Sequence, residues 1–171
     1  MSCALTQGYS HDCKDSAGGI RSVYMLEHTG VASTTETEGV ITTITKAAGR
    51  AFFKYVLPRD TGNFKFTING NEANGSVFYS HELKMILNKM QTIMRNEIKL
   101  LAMAKLIIVV EDKNGKFWML GRKDGMHLTG GTGDSGTALG DRNGYDLDFK
   151  GDEVEPPIEV LETVAAQLQT A

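Results

Sequence analysis

The spacing most suggestive of chemistry is a run of small residues from Gly130 to Thr137, Gly-Gly-Thr-Gly-Asp-Ser-Gly-Thr. Small residues let backbone amides approach an anion, so such a run can bind phosphate where it opens a helix. This run lacks the lysine that precedes Ser/Thr in phosphate-binding loops, and it neither follows a long apolar strand nor precedes a helical pattern. We therefore predict a flexible surface loop over 125–140, with no cofactor bound to it.

A second cluster, His11 and Cys13 with Asp12 and Asp15 beside them, carries side chains that can ligate zinc. No third and fourth ligand follow at a usual spacing. The remaining histidines each lack a paired Cys or His, and they are His28, His81 and His127. We predict isolated polar histidines and no metal site.

Residues for nucleophilic catalysis are also missing from the pattern. The chain has no G-x-S-x-G elbow, and Cys13 lies in a polar segment without a helix start that would activate its thiol. Four carboxylates near the end of the chain could converge in a fold and act as acid and base: Asp146, Asp148, Asp152 and Glu153. Such side chains most often lie on the solvent-exposed face of an outer strand. We predict no catalytic residue and no enzymatic activity.

Composition and charge narrow the class of protein. The chain has 171 residues, 41% of them hydrophobic and 23% charged, which is typical of one folded domain. Its net charge of −3 disfavours tight nucleic-acid binding, and it suits a protein that lies close to nucleic acid without adhering to it. Two cysteines are too few for a disulfide framework, which favours a reducing compartment. We expect a soluble chain with no membrane anchor and no cleaved export signal.

The apolar patterning predicts a β-rich chain with one interior helix. Alternating or β-branched runs predict strands at 23–26, 40–45, 52–57, 64–68, 77–87, 106–110, 117–120 and 145–149. Asn114-Gly115 predicts a hairpin between two of them. Apolar residues at spacings of three and four predict a helix over about 88–104, with Asn88 as its N-cap and its apolar face on the sheet.

The polar segments complete the predicted organisation. The Thr- and Glu-rich stretch 32–39 is expected to be a surface loop, and 158–168 to be a short helix after Pro156-Pro157. The predicted domain is therefore 21–154, between an N-terminal arm (1–20) and a C-terminal extension (155–171).

One stretch, from Ile107 to Gly121, resembles the hairpin that leads into the Nudix box of nucleotide hydrolases. A Nudix hydrolase continues into a helix whose glutamates hold a divalent metal, whereas this chain continues into Gly, Thr and Ser. Hydrolysis of nucleoside diphosphate derivatives is the enzyme alternative.

Taken together, the chain resembles small virion proteins of tailed bacteriophages, in particular those with the tail-tube type of fold. The residues that carry the resemblance are 4–9 (Ala-Leu-Thr-Gln-Gly-Tyr), 12–20 (Asp-Cys-Lys-Asp-Ser-Ala-Gly-Gly-Ile) and 140–145 (Gly-Asp-Arg-Asn-Gly-Tyr), with the order of the predicted elements.

The resemblance implies a β-sandwich or barrel of antiparallel strands with one packed helix. It implies homo-oligomeric rings, six copies each, that stack into a tail tube within the virion, contact other tail proteins and let DNA pass without sequence-specific binding. Assembly would take place in the host cytoplasm. The expected ring-to-ring contacts are 2–20, 59–75 and the glycine-rich segment. The Pro-Pro tail is longer than a minimal tube subunit needs, which leaves a head-to-tail adaptor, a tail terminator or an accessory virion protein as alternatives.

Overall fold

The computed structural model describes residues 5–10 and 13–170, and 50% of these described residues lie in strands and 12% in helices. The elements are β1 (Ile20–Glu27), β2 (Val31–Thr37), β3 (Val40–Lys46), β4 (Phe53–Val56), β5 (Gly62–Asn71), β6 (Ser76–Asn88), α1 (Thr92–Met103), β7 (Leu106–Asp112), β8 (Phe117–Leu120), β9 (His127–Asp134), β10 (Gly144–Glu153), β11 (Ile158–Val160) and α2 (Glu162–Ala165). The mainly β, α+β class predicted from the sequence is confirmed.

The strands form two sheets. The larger has seven strands in the order β2-β3-β11-β8-β7-β1-β4, and the smaller has four in the order β5-β6-β10-β9. Neighbouring strands are antiparallel except β3 and β11, which are parallel. One apolar core lies between the sheets, and a second lies on the other face of the larger sheet.

Strand β7 explains how the two cores coexist. Its Ile108 and Val110 point into the core between the sheets, whereas Ile107 and Val109 point into the second core. A strand buried on both faces needs an uninterrupted apolar run rather than alternation, and Leu106 to Val110 is such a run. The predicted hairpin from β7 to β8 is present, and Gly115 has a φ of 78° in its turn.

The interior helix begins later than predicted. Strand β6 continues to Asn88, which pairs with Gly144, and Lys89 then reverses the chain with a φ of 69°. The helix therefore starts at Thr92, and its N-cap position is Gln91, without a capping side-chain hydrogen bond. Its buried Leu101 and the half-buried Met94 and Ile98 pack into the core between the sheets.

The segment 155–171, expected to be an extension outside the domain, contributes a strand to the larger sheet. Glu159 and Val160 pair with β3 on one side and with β8 on the other, so β11 joins the β2–β3 hairpin to the rest of the sheet. After α2 the chain buries Leu168 in the second core. Only three residues form the strand, and Lys46 donates hydrogen bonds to the carbonyls of Gln167, at 2.8 Å, and Leu168 near the chain end.

Two segments predicted as loops are strands. Most of 32–39 lies in β2, and 127–134 lies in β9, an edge strand of the smaller sheet. Both strands have one hydrogen-bonded neighbour and are largely exposed, so their sequences need no apolar alternation. The prediction of a flexible glycine-rich loop was therefore wrong for 127–134.

Candidate assembly surface

The smaller sheet ends in two unpaired strands. Within residues 5–10 and 13–170, β5 is paired only with β6, and β9 only with β10. Each unpaired side presents backbone N–H and C=O groups along eight to ten residues. Unpaired edges of this length are a template for pairing with another strand.

The face of this sheet that points away from the larger sheet carries charges of both signs, with a small acidic excess. Residues directly opposite each other share a face, so the pairing register assigns three lysines and five carboxylates to it, a net charge of −2; they are Lys65, Lys84, Lys150, Glu82, Asp134, Asp146, Asp148 and Asp152. Lys65 and Lys150 reach opposite oxygens of Glu82, at 3.1 and 3.5 Å, and lower the pKa of that carboxyl. The three aspartates of β10 therefore lie on the outer face of the sheet, which is the location predicted for them from the sequence.

The β5–β6 hairpin extends past the rest of its sheet. β10 stops pairing at Glu153, opposite Tyr79, while β5 and β6 continue to Asn71 and Ser76. On the face that continues the core, the hairpin exposes Phe66, Ile68 and Val77, and the ring of Phe66 lies 6.4 Å from that of Tyr79. The apolar inner face therefore continues beyond the body of the domain without a cover.

At the opposite edge, the inner face is bare. Gly131 and Gly133 lie opposite Leu147 and Tyr145, so they occupy inner-face positions of β9 without side chains. A Cβ at Gly131 would lie 2.6 Å from the carbonyl oxygen of Asp146. The glycines and α1 leave an open groove of about 400 Å³ beside the unpaired strand.

Glu153, among the carboxylates considered for catalysis, has a structural role. It is buried, and its Oε1 accepts hydrogen bonds from the amides of Asp124 (2.8 Å) and Gly125 (3.0 Å), with Lys123 more distant at 3.2 Å. Charge-assisted bonds to backbone amides are among the stronger ones in proteins. Glu153 therefore fixes the turn that leads from β8 into β9.

His81 lies buried in β6, where the hairpin leaves the body of the domain. Its Nε2 lies 3.0 Å from the carbonyl oxygen of Glu155, which makes Nε2 the protonated nitrogen, and its Nδ1 has no partner within the described residues. Burial lowers the pKa of His81, partly offset by that carbonyl and by Glu153 and Asp152. Buried and neutral, His81 supports the base of the hairpin.

The other predicted site residues are dispersed. His11 and Asp12 lie outside the described residues, Cys13 and Asp15 are exposed, His28 contacts the carbonyl oxygen of Arg122 and His127 is exposed in β9. In the part of the chain that the structure describes, no three His, Cys, Asp or Glu side chains are grouped to hold a metal. After Gly121 the chain turns into β9 rather than into a glutamate-bearing helix.

The predicted contact segments lie at different places. The described arm residues are exposed, but Ala17 exchanges two hydrogen bonds with Asn114, of 2.7 and 3.0 Å, so the arm starts beside the β7–β8 turn. Segment 59–75 forms β5 and its two flanking turns. Sequence reasoning missed the unpaired edges, because the order of strands in a sheet leaves no local signal.

Within residues 5–10 and 13–170, neither helix has the length and apolar character needed to cross a bilayer. Comparison with known protein families, with curated proteins and with solved structures finds no match to this chain.

Proposed function

We propose that the chain is a structural subunit of a phage tail, whose copies join edge to edge into rings that stack into a tube for genome passage. The observation that carries the proposal is the four-stranded antiparallel sheet whose two outer strands, β5 and β9, are both unpaired within the described residues. Unpaired edges at both sides of one sheet allow each copy to contact two others, as a heterologous ring requires.

Strand direction favours a cyclic arrangement. The four strands alternate in direction, so β5 and β9 run antiparallel to each other. When copies are related by rotation about an axis along the strands, β5 of one copy runs antiparallel to β9 of the next. The alternation then continues across every junction, and the sheets form one closed antiparallel barrel.

The dimensions and charge of such a barrel suit a conduit for DNA. Six copies, the number that the resemblance implies, give about 24 strands, whereas barrels of about 16–18 strands already enclose an aqueous channel. At a strand spacing of about 4.8 Å, the circumference is on the order of 115 Å before tilt enlarges it. The charged face, with its net charge of −2, lines the lumen and disfavours adhesion of phosphates.

The ends of β5 support stacking. The arm approaches one end, where Gly19 neighbours Lys113 and Lys113 pairs with Asp60 at 3.1 Å. The turn of the β5–β6 hairpin lies at the other end, ten residues or about 33 Å away. A ring therefore carries arms at one rim and hairpin turns at the other, where the next ring makes contact.

The alternatives differ in their support. An adaptor role was suggested by the Pro-Pro tail, but that segment supplies β11 and the lid of the second core, so its length no longer favours an adaptor. A Nudix-like hydrolase has no specific support from the arrangement of the described side chains.

Negative-stain imaging and sedimentation velocity of the full-length protein test the proposal. We expect rings or tubes that persist at high salt, because backbone pairing and apolar contacts are screened little. A monomer at every concentration that hydrolyses nucleoside diphosphate derivatives with a divalent metal would refute it. A monomer that assembles only with another virion protein would refute the tube in favour of the adaptor.

A further inference from the structure

The groove beside β9 is an open groove with apolar walls between the helix and the smaller sheet. Apolar side chains of α1 and of the sheet line its walls, whereas β9 contributes glycines without side chains. The main lining residues are Ile98, Ala102, Leu128, Leu147, Gly131 and Gly133. At Gly131 the subunit cannot fill it from β9, because a Cβ there would lie 2.6 Å from the carbonyl oxygen of Asp146, and a Cβ at Gly133 would displace the flexible end of Met90, 2.9 Å away. A strand added beside β9 would place alternate side chains in this groove.

The side chains that fit this position belong to the other edge of the same sheet. Phe66 and Ile68 lie on alternate positions of β5, point to the same inner face and are 42% and 64% exposed. The edge strands of the larger sheet are poorer partners for β9. Strand β2 is mostly threonine and glutamate, so it lacks apolar side chains for the groove, and β4 is only four residues long.

Charge on the opposite face is compatible with this pairing. Alternation places Lys65 on the charged face of β5, while β9 and β10 present Asp134 and Asp148 on that face. Pairing the two edges brings the lysine edge of one copy to the aspartate edge of the next.

We infer that the groove between α1 and β9 is the receptor for Phe66 and Ile68 of a second copy, and that this apolar contact fixes the register of the strands in the ring. The inference rests on the proposed function, because it specifies the junction between ring subunits. It commits to a second copy of this chain as the occupant, since the inner face of β5 supplies the apolar side chains that the bare inner face of β9 lacks.

Disulfide trapping tests the contact directly. Ile68→Cys and Ala102→Cys are combined in one chain whose Cys3 and Cys13 are replaced by serine. Ala102 lines the groove at the β9 edge of the sheet, and β9 is three strand spacings, about 14 Å, from β5. A disulfide needs Cα atoms within about 7 Å, so a crosslink between Ile68→Cys and Ala102→Cys is expected to join two copies. We expect a ladder of covalent oligomers under oxidation. The matched control places the cysteine at Asn69, the adjacent residue on the opposite face, and is expected to give no ladder.

The outcomes separate this inference from the proposed function. Rings that form by imaging but stay uncrosslinked, or crosslink equally well through Asn69→Cys, overturn the receptor while the tube proposal stands. A protein that forms neither rings nor crosslinks overturns both.

Filling the groove gives a second test that needs no cysteines. Ala102→Trp on the exposed groove wall should shift assemblies to monomers, whereas Asn96→Trp, at another exposed position of α1, should not. Assembly that tolerates Ala102→Trp at wild-type concentration overturns the inference, provided that circular dichroism shows both variants folded.

Discussion

Replacing Ile68 by aspartate probes the edge contact with little expected effect on the subunit itself. The side chain is 64% exposed on the overhanging hairpin, so the free subunit gains little stability from it. Full burial of an aliphatic side chain contributes about 1.5–3 kcal/mol. Burying the exposed two thirds in a ring therefore contributes about 1–2 kcal/mol per junction, which Ile68→Asp removes.

Ring closure multiplies this loss. Six equivalent junctions lose about 6–12 kcal/mol together, before the cost of desolvating six carboxylates is added. Since each 1.4 kcal/mol is a factor of about ten in an equilibrium constant, the concentration needed for assembly rises by orders of magnitude. The variant should remain a folded monomer where the wild type forms rings.

The assay is sedimentation velocity over a concentration series, with the melting temperature as the check on folding. The matched control is Val56→Asp, since Val56 is 70% exposed on β4, an edge strand of the larger sheet. Rings formed by Ile68→Asp at the wild-type concentration would refute the assignment of β5 to the junction. Loss of assembly with Val56→Asp alone would place the junction on the larger sheet.

Three further predictions concern the stability of the subunit. Leu168→Ala should lower the free energy of unfolding by about 2–5 kcal/mol in urea titrations, and Leu161→Ala, 44% exposed, by much less; equal small effects would show that the chain end lies outside the core. Glu153→Ala should cost at least about 1.5–3 kcal/mol, because the amides of the turn lose a charged acceptor, and unchanged stability would contradict that role. The pKa of His81 is lowered by burial, so the unfolded chain binds a proton more readily and stability should fall as pH drops below about 6.5. Urea titrations at pH 7 and pH 5 should give a smaller drop for His81→Gln, and an identical drop would exclude His81 as a contributor.

The elements that were predicted from sequence are those whose signal is local. The apolar run of β7, the Asn-Gly turn after it and the alternation in β10 each reflect burial or backbone geometry within a few residues. The start of the helix was misplaced because Asn88, a good N-cap by type, is held in β6 by its pairing with Gly144. Tertiary pairing thus overrode a local preference.

The elements that were missed are strands only by virtue of their neighbours. β9 contains three glycines in eight residues, and its extended form comes from its pairing with β10. β11 is three residues long and depends on β3 and β8 on its two sides. Such strands carry no periodic apolar signal, because the partner strand, not their own side chains, determines their conformation.

The candidate site was outside the reach of sequence reasoning for a related reason. The alternating pattern of β5, with Phe64, Phe66 and Ile68 on one face, is typical of an ordinary half-buried strand. This pattern does not reveal that Phe66 and Ile68 lie beyond the core. Whether a strand lies at an edge depends on the order of the whole sheet, and here β5 and β9, 56 residues apart between Asn71 and His127, become its two borders.

The two borders also differ in a way that limits uncontrolled association. Two β5 edges brought together would place one lysine-bearing edge beside another and supply no groove for either apolar overhang, and two β9 edges would leave both glycine grooves empty. A β5 edge against a β9 edge covers the overhang, fills the groove and places lysine near aspartate. Because like edges gain less than unlike edges, the same strands that would otherwise invite indiscriminate pairing favour head-to-tail contacts, and head-to-tail contacts between identical copies close into rings when the rotation per copy allows it.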